Sequence, residues 1–211
     1  MRSKSSVLET AVLGLLTYSP LHGYELRKRL NLVLGSFRVL SYGSLYPCLK
    51  SLVARGLITG TADDSEIVSP LKGKRAKIVY RLTNTGQQHL QDLLRSSGPA
   101  AWDDDSFDVR FAFFGQTDSD TRIRILEGRR SRLNERLEAS RENSWKTQGK
   151  LDEYSLELHR HGLEQVEREV HWLDGLINAE HDRRRAQNFK DQSHTTKVDG
   201  DGLDNKNKEQ G

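Results

Sequence analysis

The sequence is poor in the residues that make scaffolds and membrane anchors. A single cysteine, Cys48, occurs among 211 residues, which excludes a disulfide framework and any zinc cluster built on several thiolates. No apolar run approaches 18 residues, so no transmembrane helix is expected. The apolar stretch near the N-terminus is short, is interrupted by Glu9 and is followed by no small-residue cleavage site, so no signal peptide is expected either. There is no G-x-S-x-G, P-loop, dinucleotide-binding fingerprint or H-E-x-x-H pair, and no catalytic residue is named. His159, His161, His171 and His181 follow one another at steps of 2, 10 and 10, which is not the i, i+4 spacing of ligands on one helical face; no metal site and no cofactor are expected. Asp199-Gly200-Asp201-Gly202 lacks the remaining ligands of a calcium loop and reads as solvated coil. The default expectation is a soluble cytoplasmic protein.

Charge is unevenly distributed. Residues 1–95 carry a net +8, residues 96–186 a net −4 and residues 187–211 a net −1. A basic N-terminal half joined to an acidic C-terminal half predicts a polyanion-binding module attached to a module of another kind.

Periodicity divides the basic half into short helices and a hairpin. Leu8, Ala11, Val12, Leu15 and Leu16 form one apolar stripe of a helix that opens after Ser5 or Ser6 and stops before Pro20. A second helix spans about His22 to Val33. A third starts near Ser44, with Leu45, Leu49 and Leu52 on one face and Tyr46, Pro47, Lys50 and Ser51 off it; Pro47 belongs in its first turn and Gly56 ends it. The period then falls to two. Leu57–Thr59 reads as a short strand, and Glu66–Val68 and Ala76–Leu82 as a hairpin whose tip holds Lys72, Lys74, Arg75 and Lys77. Thr83-Asn84-Thr85-Gly86 opens a fourth helix. Three helices followed by a basic hairpin make a winged helix-turn-helix. A helix with a small-polar, Tyr- and Lys-bearing face fits the major groove, about 12 Å wide, and a basic tip suits phosphates or the minor groove.

Leu21-His22-Gly23-Tyr24-Glu25-Leu26, Tyr42–Leu52, Gly56-Leu57-Ile58 and Tyr80–Gly86, in this order and spacing, resemble the PadR family of bacterial transcriptional regulators. Phe111–Gly115, Leu126–Arg130, His161–Glu164 and Trp172–Leu176 are similar to the longer helical C-terminal domain of the members related to virulence regulators. The resemblance implies a homodimeric repressor on a palindromic double-stranded DNA operator. It carries DNA contact onto Tyr24, Tyr42, Ser44, Tyr46, Pro47 and Lys50, with Lys74, Arg75 and Lys77 in the wing. The wing departs from the family pattern by holding Pro70 and Leu71. Two readings of Tyr24 and Tyr46 stay open, DNA contact and half-buried packing. A dimeric winged helix that docks a protein instead of DNA is the alternative function.

Ser96–Asp105, with its Gly, Pro and acidic run, reads as a linker. The expected organisation is a DNA-binding domain over 1–95, a linker over 96–106, a helical dimerisation and effector domain over 107–186 and a disordered tail over 187–211. In the helical domain, Leu163, Val166, Val170, Leu173 and Ile177 fit a heptad stripe and are expected at the dimer seam. A monomeric helical hairpin is the other reading of that stripe. Phe111, Phe114, Trp145 and Trp172 are candidates for a pocket taking a small aromatic effector, against the plainer reading that they are core.

Overall fold

The computed structural model describes residues 2–33, 42–62, 78–147 and 152–198. Its elements in chain order are α1 (Arg2–Leu16), β1 (Leu21–His22), α2 (Gly23–Val33), α3 (Tyr42–Ala54), β2 (Ile58–Ala62), β3 (Ile78–Leu82), α4 (Asn84–Arg95), α5 (Asp104–Ala112), α6 (Ser119–Thr147) and α7 (Glu153–Val198), with 3₁₀ turns at Pro99–Ala101 and Phe114–Gln116. The fold is mostly α, with a winged helix-turn-helix at its N-terminal end and long helices after it. Two compact units divide between Ile125 and Leu126. No helix among the described residues is long and apolar enough to cross a membrane.

The first unit is built around α1. Every residue from Val7 to Leu16 except Glu9 is buried, so the helix is enclosed on all sides and not along one stripe. Its neighbours are α2, α3, α4, α5 and β3. Gly14 makes one of these contacts possible: a Cβ there would lie 2.5 Å from the ring of Phe113, which packs onto the bare backbone. The antiparallel sheet has the order β1-β3-β2, with Tyr80 opposite both Leu21 and Gly60. Tyr80 is buried, and burial pushes its hydroxyl above the usual tyrosine range.

Several boundaries differ from the sequence expectation. α1 begins at Arg2, ahead of the serines expected to open it. α3 begins at Tyr42, so Pro47 falls in the second turn and not the first. Its missing N–H leaves the carbonyl of Gly43 without a helical donor; Pro47 itself is exposed to water. The first strand of the wing is Ile58–Ala62, which pairs with Ile78–Leu82 in the register Ile58 to Leu82. Burial of Leu57 and Ile58 anchors that pairing; Glu66–Val68 lies outside the described residues. The 96–106 stretch is partly ordered: Ala101 is buried, Trp102 Nε1 donates to the Ser97 carbonyl at 3.0 Å, and α5 starts at Asp104. α5 packs on α1 within the first unit, because Val109 and Phe113 complete the apolar cluster around α1. Arg110 fastens it further, donating from Nη1 to the carbonyls of Leu93 (2.9 Å) and Ser96 (2.7 Å) at the end of α4.

In the second unit α6 and α7 are joined by ion pairs: Arg129 with Glu169 (2.8 Å), Arg130 with Asp174 (2.9 Å) and Arg141 with Glu167 (2.5 Å). Leu126, Leu133, Leu137, Leu173 and Ile177 are buried. α7 opens on Asp152, whose carboxylate accepts from the Ser155 N–H at 2.7 Å, the bond of an N-cap. It runs on as helix to Val198, twelve residues into the segment expected to be a disordered tail. No Gly or Pro occurs between Gly175 and Gly200 to stop it, so helical propagation outlasts the last packed apolar residue. Residues 199–211 lie outside the described residues.

Candidate nucleic-acid interface

α3 has two chemically distinct faces. Leu45, Leu49 and Leu52 are fully buried. Ser44, Tyr46, Pro47, Lys50 and Ser51 are exposed. Tyr46 packs along one edge and stays open to water along the rest. It is 47% exposed, yet its hydroxyl lies 3.4 Å from where a Cβ on Gly23 would stand, so one edge of the ring covers the start of α2. Tyr24, in the first turn of α2, is 63% exposed. That turn is fixed by Glu25, whose carboxylate accepts from the His22 N–H at 3.1 Å, the reciprocal half of a capping box. Tyr42 begins α3, but its side chain lies outside the described residues, as do Lys72, Lys74, Arg75 and Lys77. Cys48, on the inner side of α3, is half-buried; burial, with a smaller contribution from the Glu9 charge, pushes its thiol up to about 11. It stays protonated at neutral pH and is a poor nucleophile.

The C-terminal end of α3 is held by directional bonds. The Gly56 N–H donates to the Val53 carbonyl and the Leu57 N–H to that of Leu52, both at 3.0 Å, with Gly56 at φ +68°. This is a Schellman stop, in which glycine alone avoids a Cβ penalty. The carbonyls just beyond it accept from the Thr83 hydroxyl, Gly56 at 2.8 Å and Leu57 at 3.0 Å, while that hydroxyl oxygen accepts from the Gly86 N–H at 3.0 Å and so caps α4. A Cβ on Gly86 would overlap the Leu57 carbonyl oxygen; only glycine lets α4 approach this closely. On the other side, Arg55 donates from Nη1 to Glu9 Oε2 at 2.8 Å, and His89 Nε2 lies 2.6 Å from Glu9 Oε1. Burial raises the Glu9 carboxyl, but the bonds and charges of Arg55 and His89 outweigh it and hold Glu9 below its ordinary value.

Sequence reasoning missed Glu9, Arg55 and His89 as a group. Glu9 lies on α1, Arg55 just past α3 and His89 on α4, and pairing across such separations leaves no local pattern. One signal was present: an acid in the middle of an otherwise apolar helix requires a partner when buried.

The C-terminal candidates divide between the two units. Leu173 and Ile177 are buried within the single chain, whereas Leu163, Val166 and Val170 remain half-buried. Phe111 and Phe114 form a tilted pair with centroids 5.1 Å apart in the first unit. Trp172 is half-exposed in the second, and the side chain of Trp145 lies outside the described residues. A cleft of about 320 Å³ opens instead beside α1, lined by Val7, Thr10, Asp103, Ser106, Val109 and Arg110 among others. It shares no residue with the expected effector pocket. Arg110 enters it with its basicity lowered by burial.

Residues 12–92 match the profile of the Transcriptional regulator PadR-like family. The Negative transcriptional regulator PadR of Bacillus subtilis (strain 168) is 36% identical over 89 residues, which cover 42% of this chain and 45% of that relative. The match thus spans less than half of the relative's length. Among solved structures, Bacillus subtilis PadR in complex with operator DNA is 24% identical over 82% of this chain and 99% of that one, with a TM-score of 0.39. The same regulator in complex with p-coumaric acid is 23% identical over 82% and 98%, with a TM-score of 0.37. The part of the chain that is similar to the Transcriptional regulator PadR-like family, residues 12–92, takes in α2, α3 and the wing strands.

Proposed function

We propose that the chain is a sequence-specific DNA-binding repressor that acts as a homodimer on a palindromic operator in the cytoplasm. It binds without catalysis. In this reading residues 1–95 form the DNA-binding module. Ser44, Tyr46, Pro47 and Lys50 of α3 face the major groove beside Tyr24 and Tyr42, and Lys72, Lys74, Arg75 and Lys77 meet phosphates from the wing. The two-faced α3 carries the reading: fully buried leucines on one side, exposed hydrogen-bonding side chains on the other, in a half of the chain with net charge +8. The relative named a negative transcriptional regulator supports repression over activation. The homodimer seam is proposed on α7 at Leu163, Val166 and Val170, which one chain leaves half-exposed; Leu173 and Ile177 are already enclosed. Two copies read two half-sites and gain spacing specificity. A small aromatic effector, taken up beside Phe111, Phe114, Trp145 or Trp172, relieves repression.

Footprinting on the promoter of its own gene and of neighbouring genes tests the reading. A protected, two-fold symmetric site is expected. Neutralising the four wing cations together is expected to weaken all duplexes about equally and to flatten the slope of log K against log salt by about one for each phosphate no longer neutralised. Absence of any protected site, with binding to a protein partner in its place, would contradict it.

A further inference from the structure

We propose that Glu9 is a positioning residue for DNA reading: through Arg55 and His89 it sets the placement of α3 and thereby discrimination between sequences. The inference rests on the DNA-binding function proposed above. The buried face of α3 consists of Leu45, Leu49 and Leu52, and apolar burial is non-directional. Such a face tolerates small rotations and slides of the helix that would displace Ser44, Tyr46 and Lys50 from base edges. Directional bonds are concentrated at the far end of α3. Arg55, immediately after the helix, gives one guanidinium nitrogen to Glu9 at 2.8 Å, and its Nη2 lies 3.2 Å from His89 Nε2. His89, on α4, approaches the other Glu9 oxygen at 2.6 Å. With the proton on Nε2, His89 donates to Glu9, and its approach to Arg55 is then a contact between two donors and not a hydrogen bond. One carboxylate on α1 therefore ties the residue just past α3 to the middle of α4, with a donor on each oxygen. Arg55 is 44% exposed at its side chain, so the pair adds little to stability. Its larger contribution is geometric.

The test uses the full chain. Duplexes are selected by the unaltered protein from a random-sequence pool. Affinity is then measured for the selected duplex and for a scrambled duplex of equal length, with thermal melting alongside. Glu9→Ala is expected to lower affinity for the selected duplex about tenfold, to change affinity for the scrambled one less than twofold, and to leave the salt slope unaltered. Glu9→Gln keeps the shape and one acceptor and is expected to recover part of the discrimination. Arg55→Ala provides the second variant should Glu9→Ala melt at the assay temperature, with the same loss expected. A merely structural role would lower both affinities together with the folded fraction, and would overturn the inference. So would equal discrimination in all variants, or a gain in scrambled-duplex affinity and salt slope, which would make Arg55 a phosphate contact that Glu9 holds back. Failure of the unaltered chain to enrich any duplex would overturn the parent reading as well, whereas enrichment without sensitivity to Glu9 sinks this inference alone.

Discussion

The glycines where elements of the first unit cross differ from those on α7. In the first, Gly14 lies under the Phe113 ring and Gly86 against the Leu57 carbonyl, places where a side chain has no room. In the second, Gly162 and Gly175 on α7 have nothing within 4 Å of a hypothetical Cβ. The first unit is close-packed where its short elements cross, and the apolar cluster around α1 is enclosed by the chain itself, although Leu32, Val53 and Ile78 stay exposed. The second depends on long helices and ion pairs, and leaves Leu156, Leu158 and Trp172 exposed. A close-packed unit holds a reading face at fixed geometry. A unit with uncovered apolar surface suits an interface.

This contrast can be broken at the glycines. Gly86→Ala drives the new Cβ into the Leu57 carbonyl oxygen, and overpacking costs typically about 1–3 kcal/mol and occasionally more; a loss of about 3 kcal/mol is expected in chemical denaturation. Gly162→Ala is expected to stabilise the chain by about 0.5–1 kcal/mol, the usual helical preference for alanine. Equal effects at the two sites would abolish the distinction. The heptad stripe sharpens it. Leu173→Glu buries a charge inside one chain and is expected to cost several kcal/mol, visible as diminished helix content. Val170→Glu is expected to keep helix content and dissociate the dimer in equilibrium sedimentation. A dimer unaffected by Val170→Glu would move the seam elsewhere.

A smaller effect concerns acid. The Glu9 carboxyl is held below its ordinary value of 4.5 in the folded chain. Its contribution is therefore present above that value and disappears as pH falls through the lowered folded value. Melting temperature should drop on acidification below about pH 4.5, and less steeply in Glu9→Gln; identical profiles would show that the carboxylate contributes nothing. The smallest concerns Cys48. With its thiol pushed up to about 11, alkylation by iodoacetamide at neutral pH should be slow in the native chain and fast in denaturant. Rapid native labelling would contradict the half-buried placement.

Local signals were legible. The Thr83 cap, the Gly56 stop and the Leu45, Leu49 and Leu52 face follow from residue type and spacing within one element. Tertiary effects were not. The stripe on α1 predicted one buried face, but α5 closes over the other, and nothing near Leu13 or Gly14 in sequence announces Phe113. The wing pairing went to Ile58–Ala62 because Leu57 and Ile58 are anchored in the core, a fact that periodicity alone does not carry. The exposed face of α3 was legible because exposure follows from helical phase, whereas Glu9, Arg55 and His89 meet only once the chain has folded.

The central claim is that the exposed face of α3 reads base pairs. Competition binding between a selected duplex and a scrambled one, for the unaltered chain and for Lys50→Ala and Tyr46→Ala, tests it most directly. Each substitution is expected to cost about 1–3 kcal/mol on the selected duplex with the melting transition retained. Unchanged affinity for both variants would remove α3 from the DNA and contradict the account.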